Sequence, residues 1–344
     1  MESTVRRLLV SIIIPVYNVK PYLRACVHSI VRQGDFRGAY EILLIDDGST
    51  DGSGRICDDL AGQHACIRVC RQKNAGLGAA RNTGIKAAGG EYLLFADADD
   101  FIGKHALAGI LTGISNTHAD VYFLNGYKYF NRRSLQPMND GRLRNVNFLD
   151  KQGSMRLFAG LSRYPGSACD KLIRRGLIQK HAVIFEEGVV GEDLVWVLKC
   201  LLYAGTYGYL DVDYYYYRQN RAGSITSRCD PKRFADQIHA VQQGAALART
   251  TAEGKRFQKE IYSMMAYEAE TALLFLGMLQ KQKMADHEMM DALTKVLWLL
   301  RYRNTRRTKW IRRLLRFLGI KKTAGLLEWG YGIKKDADRR IKIR

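Results

Sequence analysis

Asp97-Ala98-Asp99-Asp100 directly follows a short apolar run, which puts Asp97 and Asp99 on one side of an extended segment. Two carboxylates this close repel unless a cation lies between them. A carboxylate pair completed by substrate phosphates is the usual way Mg²⁺ or Mn²⁺ is held. The same residues can also form an acidic turn that caps a helix starting near Lys104. Upstream, Asp46-Asp47-Gly48-Ser49-Thr50-Asp51-Gly52 carries carboxylates able to accept hydrogen bonds from a base N–H or from ribose hydroxyls. Taken on its own, that cluster more readily reads as the cap of a helix over 53–61. Between the two, a stretch from Asn74 to Gly84 opens a helix with Gly76 and Gly78 and sets Arg81 one turn in. A helix N-terminus with an added guanidinium suits a diphosphate, although the glycine spacing is not that of a dinucleotide fingerprint.

These clusters need elements to position them, and residues 8–100 provide an alternation of short apolar runs with helical patterns. Runs at 10–14, 41–45, 67–70 and 92–96 read as strands. Residues 23–31, 53–61 and 77–88 read as helices, the first with Pro21 suited to its opening turn. Alternation of this kind predicts a parallel sheet with crossover helices, and the polar clusters then fall at the carboxyl ends of strands, where open α/β sheets bind ligands. Beyond Asp100, residues 121–124 and 207–217 read as further strands and 194–202 as a helix buried on one face. From Pro231 onward the pattern is helical, over 232–252, 256–283, 286–303 and 305–318. The expected division is a sheet-based domain over 1–230 and a helical, basic region over 231–344.

The ordered set formed by Ser11-Ile12-Ile13-Ile14-Pro15-Val16-Tyr17-Asn18, the Asp46 to Asp51 cluster, Asn74 with Gly76 and Ala80-Arg81-Asn82, and Asp97-Ala98-Asp99-Asp100 resembles glycosyltransferase family 2, whose catalytic domain is the GT-A fold. The resemblance covers residues 8 to about 105 and continues with less force through Asp170-Lys171-Leu172 and Gly191-Glu192-Asp193 to Ser224-Ile225. It implies that Pro15, Tyr17 and Asp47, with Asp46 nearby, contact the nucleobase and ribose, and that Asn74 and Arg81 lie near the nucleotide. By the same resemblance Asp97 and Asp99 form the DxD element, with Asp99 the more direct metal ligand, and Asp193 is the catalytic base. Read from its position alone, Asp193 could instead cap the helix it begins. Glycosyl transfer from a nucleotide diphosphate asks for the same parts, because the leaving diphosphate needs positive charge and the attacking hydroxyl must lose a proton. A single displacement at the anomeric carbon inverts its configuration.

The 344 residues carry 54 Lys and Arg against 34 Asp and Glu, a net charge of +20. From 301 to 344 there are 16 basic residues and three acids, so +13 of the excess sits in the tail. Around 305–318, Trp310, Ile311, Leu314, Leu315, Phe317 and Leu318 make an apolar face amid Arg306, Arg307, Arg312, Arg313 and Arg316. Such a helix suits an anionic membrane surface, though its apolar face could also pack on the rest of the chain. No apolar run approaches the roughly 18 residues needed to span a bilayer. The stretch after Arg6 and Arg7, broken by Pro15 and Asn18, reads as a strand and not a leader.

Seven cysteines without a CxxC pair argue against a disulfide framework or zinc site and fit a reducing compartment, and the seven histidines have no metal-ligand spacing. Tyr214 to Tyr217 followed by Arg218 could stack an acceptor sugar or form a buried-edge strand. Nucleic-acid binding would use the basic tail but would leave the four polar clusters without a role. The expectation is an inverting, metal-dependent transferase that uses a nucleotide-sugar donor, a glycan or lipid-linked acceptor and Mg²⁺ or Mn²⁺. It would be cytoplasmic and peripheral on the inner face of the cell membrane. A noncatalytic sugar-nucleotide- or membrane-binding protein of the same fold is the alternative.

Overall fold

The computed structural model describes residues 8–34, 36, 38–219 and 229–343, with side chains described up to 333. Ser224-Ile225 lies outside the described residues. The chain divides into two compact units, one from the described residues of Met1–Ser154, Gly166–Gly188 and Glu192–Gln219, the other from those of Met155–Pro165, Val189–Gly191 and Asn220–Arg344.

The first unit is built on a nine-stranded sheet. Strands β1 (Val10–Val16), β2 (Tyr40–Asp46), β3 (Ile67–Arg71) and β4 (Tyr92–Phe95) alternate with helices α1 (Lys20–Val31), α2 (Ser53–Gln63) and α3 (Leu77–Ala87). Every residue of β1, β2 and β4 is buried, as continuous apolar strands covered on both faces must be. They pair in parallel in the order β3-β2-β1-β4. The register sets Val16 opposite Asp46 and Asp46 opposite Arg71, so the carboxyl ends of these strands share one rim.

On the other side of β4 the sheet becomes mixed. Strand β8 (Lys171–Arg174) inserts antiparallel between β4 and β6 (Val121–Asn131), and β9 (Tyr207–Arg218) runs parallel to β6. The two-residue β5 (Phe101–Ile102) pairs with Tyr215 and Tyr216 of β9, and β7 (Ser134–Pro137) pairs with β6. The sequence pattern does not reveal β8, because its four residues include only two apolar ones, Leu172 and Ile173. Its Lys171 is fully buried, donating from Nζ to Asp170 Oδ1 (2.5 Å) and to the Ser167 carbonyl (2.6 Å). Helices α4 (Ala106–Asn116), α5 (Lys151–Gly160), α6 (Arg175–Lys180) and α7 (Asp193–Tyr203) complete the sequence up to β9.

In the second unit, α8 (Pro231–Thr250), α9 (Ala252–Arg256), α10 (Gln258–Lys281), α11 (His287–Leu297) and α12 (Arg306–Ile343) form a helical assembly. The stretch expected as one helix over 286–303 ends in a 3₁₀ turn at Trp298–Tyr302. A Cβ at Gly277 of α10 would lie 2.2 Å from the Ala324 carbonyl of α12, so the two helices approach at backbone distance. Arg303, 2% exposed, donates to the carbonyls of Leu161 (2.8 Å) and Ser162 (3.1 Å). The Thr308 hydroxyl donates to the buried Glu270 carboxylate. These bonds fasten the start of α12, which runs well past 318 and is interrupted by a kink at Gly319, where φ is +70°.

Candidate active site

The turns that follow β1, β2 and β3 are stitched to one another. Asn18, itself at φ +52°, accepts the backbone N–H of Thr50 at 2.8 Å, and Asp51 Oδ2 accepts the N–H of Lys20 at 3.0 Å. Asp51 Oδ1 also takes the N–H of Ser53, so the helix-starting task in this cluster falls to Asp51. Asp46 accepts the Ser49 N–H at 3.0 Å. Asp47 is 3% exposed and holds the third turn, accepting from Gln72 Nε2 (2.8 Å) and from the backbone N–H groups of Ala75 and Gly76 (2.9 Å each). Gly48 sits at φ +73°, and a Cβ there would lie 2.9 Å from the Asn74 backbone nitrogen, so both conformation and space demand glycine. Pro15 is buried at the end of β1, whereas Tyr17 (49% exposed) and Asn74 open to solvent on the same rim.

Arg81 is the hub of the site. Buried at 2% exposure, it donates one guanidinium nitrogen to Glu192 Oε1 and the other to Asp97 Oδ1 (2.9 Å), and it stands 5.3 Å from the Phe185 ring centroid. Burial opposes its charge, but the Glu192 and Asp97 carboxylates outweigh that and hold its pKa well above the arginine range. One guanidinium thereby ties the acidic turn after β4 to the start of α7, where Asp193 follows Glu192. Neither acid caps α7 through its side chain. Burial, then Glu192, push the Asp193 carboxyl up to about 7, against the opposing pull of Arg81. A carboxylate poised there is matched to proton transfer near neutral pH.

The oxygens of Asp97, Asp99 and Asp100 lie within 4.8 Å of one another, and among the described residues they form the one group of this kind. The acids do not cap the next helix, since β5 intervenes and α4 begins at Ala106 without a side-chain cap. Asp100, which does not share the side of Asp97 and Asp99 in an extended segment, belongs to the cluster as well. It accepts from the Tyr215 hydroxyl and from the Arg218 backbone N–H (2.7 Å), and burial followed by repulsion from Asp97 and Asp99 push its carboxyl up to about 8. Tyr215 also reaches Asp97 Oδ2 at 3.3 Å, and Arg218 Nε donates to the Asp99 carbonyl at 3.0 Å. The second strand residue of the tyrosine run therefore supports the acidic turn. Tyr214 bonds the Phe95 carbonyl at 3.2 Å, and Tyr216 stacks on Phe101 and Tyr127. An all-oxygen set of converging carboxylates, in which Asp97 and Asp99 raise the cost of charging Asp100, fits a hard divalent cation such as Mg²⁺ or Mn²⁺.

Of the predicted residues, Pro15, Tyr17, Asp46, Asp47 and Asn74 lie at the ends of β1, β2 and β3 or in the turns that follow, Asp97 and Asp99 share the acidic turn after β4, and Arg81 joins Asp97 to Glu192, the neighbour of Asp193. Tyr215, Asp100 and Glu192 are the partners that sequence spacing did not assign. Arg81 is engaged by carboxylates, and Asp47 by its own turn.

Residues 11–181 match the family described as Glycosyl transferase family 2. A curated relative from Escherichia coli (strain K12), the uncharacterized glycosyltransferase YibD, is 30% identical over 265 residues, covering 75% of this chain and 76% of the relative. The cholesterol galactosyltransferase of Borreliella burgdorferi is 34% identical over 235 residues, covering 66% of this chain and 64% of its own. The chain spans 61% of the length of the uncharacterized glycosyltransferase EpsJ of Bacillus subtilis (strain 168), to which it is 33% identical over 213 residues, and 64% of that of the Borreliella relative. Among solved structures, S. aureus TarS 1-349 in complex with UDP-GlcNAc superposes with a TM-score of 0.70 at 19% identity, over 95% of this chain and 92% of that one. The likeness extends to the fold and gives the sheet its GT-A character.

Proposed function

The chain belongs to glycosyltransferase family 2 and is a transferase of GT-A-like fold, and from that premise we propose that it moves a sugar, with inversion, from a UDP-sugar to a glycan acceptor. The acceptor is a growing cell-surface polysaccharide, of exopolysaccharide or capsule type, or its lipid-linked precursor. The sugar is a hexosyl or N-acetylhexosaminyl group. The enzyme works in the cytoplasm, peripheral on the inner face of the cell membrane. The UDP-GlcNAc bound in the TarS structure and the galactosyl transfer to a lipid named for the Borreliella relative support the donor and acceptor classes.

The observation that carries this reading is the Arg81 bridge, which brings the acidic turn and the residue beside Asp193 onto one guanidinium. In this assignment Pro15 and Tyr17 flank the nucleobase, with Asp46, Asp47 and Asn74 shaping the same pocket. Asp97 and Asp99 would hold a divalent cation, which supplies positive charge to the departing diphosphate. Asp193 takes the proton from the attacking acceptor hydroxyl, and its raised pKa keeps it basic enough to do so. Arg81 keeps Asp97 and Glu192 in place and balances their charge. Tyr215 fixes the rotamer of Asp100 and so the path of the turn.

A thermal-shift panel of nucleotide sugars, with and without Mn²⁺, tests the donor assignment, since a ligand raises apparent stability according to its affinity. UDP-sugars should stabilise the protein only with the cation. Asp99→Ala should remove that stabilisation. Asp193→Ala should keep it and abolish transfer. Transfer that survives both substitutions would refute the assignment.

A further inference from the structure

Helix α12 distributes its side chains against the usual rule for a helix packed on a core. Its buried positions are small or medium: Thr308, Ile311, Thr323 and Ala324, each 0% exposed. Its largest apolar side chains face solvent, Trp310 at 49%, Phe317 at 78% and Trp329 at 65% exposed. Leu318, Leu326 and Ile333 are exposed as well. Trp310 and Phe317 are seven residues apart and share one face of the first segment, while Leu326, Trp329 and Ile333 share one face beyond the Gly319 kink. Packing within its own unit leaves a large part of each of these side chains uncovered, and contiguous exposed apolar surface of this kind marks an interaction site.

The charge around them says what kind. From 306 to 322 the chain has eight Lys and Arg and no acid. Arg306, Lys309, Arg312, Arg313, Arg316, Lys321 and Lys322 are all exposed. A second copy of this surface would be repelled by like charge, which argues against self-association. A single-stranded nucleic acid could use the arginines and the aromatic rings but has no use for Leu318, Leu326 and Ile333. An anionic bilayer satisfies both features, since indole and phenyl rings settle at headgroup depth while the basic side chains meet lipid phosphates. No helix among the described residues is long and apolar enough to cross a membrane, so the contact is one of lying on the surface.

We infer that the outward face of α12 is a docking surface for anionic lipid, with Trp310, Phe317 and Trp329 inserted at the interface. The inference deepens the membrane part of the proposed function and rests on that reading only for its purpose. Its test needs neither donor nor cation. The full chain is sedimented with vesicles of phosphatidylcholine alone and of phosphatidylcholine mixed with phosphatidylglycerol. It should pellet with the mixed vesicles only, less so as salt is raised, and tryptophan emission should shift to the blue on binding. The variant carrying Trp310→Ala, Phe317→Ala and Trp329→Ala should bind at least about tenfold more weakly. Its melting temperature without any ligand should match that of the parent, which shows the fold to be intact. Failure of the full chain to pellet with anionic vesicles, an unaffected triple variant, or tighter binding to a single-stranded RNA than to the vesicles at the same salt would each overturn the inference. All three would leave the transferase assignment standing.

Discussion

Arg81→Met removes a buried cation while keeping a side chain of comparable length, and its cost can be worked from the site. Arg81 is 2% exposed and meets two carboxylates, of which Glu192 is itself only 6% exposed. Taking away one partner of a buried ion pair strands the other and costs about 3–5 kcal/mol. For a unit of this size each kcal/mol lowers the melting temperature by about 2–4 °C, so the expected loss is roughly 6–20 °C in differential scanning calorimetry. The deficit should narrow at acid pH, where the stranded carboxylates can be neutralised by protonation. Arg81→Lys keeps the charge but not the two-pronged reach, and should fall between the parent and Arg81→Met. A melting temperature within about 2 °C of the parent's, at neutral pH, would mean that the guanidinium is not the tie between the two halves of the site.

The raised Asp193 carboxyl, pushed up to about 7, should appear twice. Transfer by the parent should climb with pH about a midpoint near 7, because the base must be ionised. The cation-free protein should show the opposite trend in stability: protonated Asp193 favours the fold at low pH, and that contribution is lost as pH rises through about 7. Asp193→Asn should abolish transfer, measured by initial rates, and flatten its share of the stability profile, measured by melting scans across pH. Gly48→Ala meets both a positive φ and the Asn74 backbone 2.9 Å away, and should cost about 1–3 kcal/mol in denaturant titration while weakening donor binding.

The parallel half of the sheet was legible because its strands are uninterrupted apolar runs, each closed by a polar cluster. The sequence expected strands at 10–14 and 41–45, and β1 and β2 extend each by one or two residues. β8 escaped because it opens on Lys171, buried in a pair with Asp170, and a charged residue in a strand reads as solvent-facing until its partner is known. The 3₁₀ turn after α11 continues a helical apolar pattern, so periodicity alone could not separate it. At the site, spacing picked out Asp97, Asp99 and Arg81, and the family resemblance pointed to Asp193, but neither told what Arg81 touches. The Glu192 contact joins residues 111 apart in the chain, and the Tyr215 contact to Asp100 joins residues 115 apart. Local pattern carries no information about such distances. Tyr215 could have been suspected from the polar ends of four consecutive tyrosines, since a buried hydroxyl needs a partner.

Asp47 spends its oxygens on the loop that carries Ala75 and Gly76. Anyone wishing to retune this enzyme toward a different donor would find that residue a poor dial, because altering it releases a neighbouring loop before it alters selectivity. Tyr17, solvent-facing on the same rim and free of that duty, is the place to begin a library.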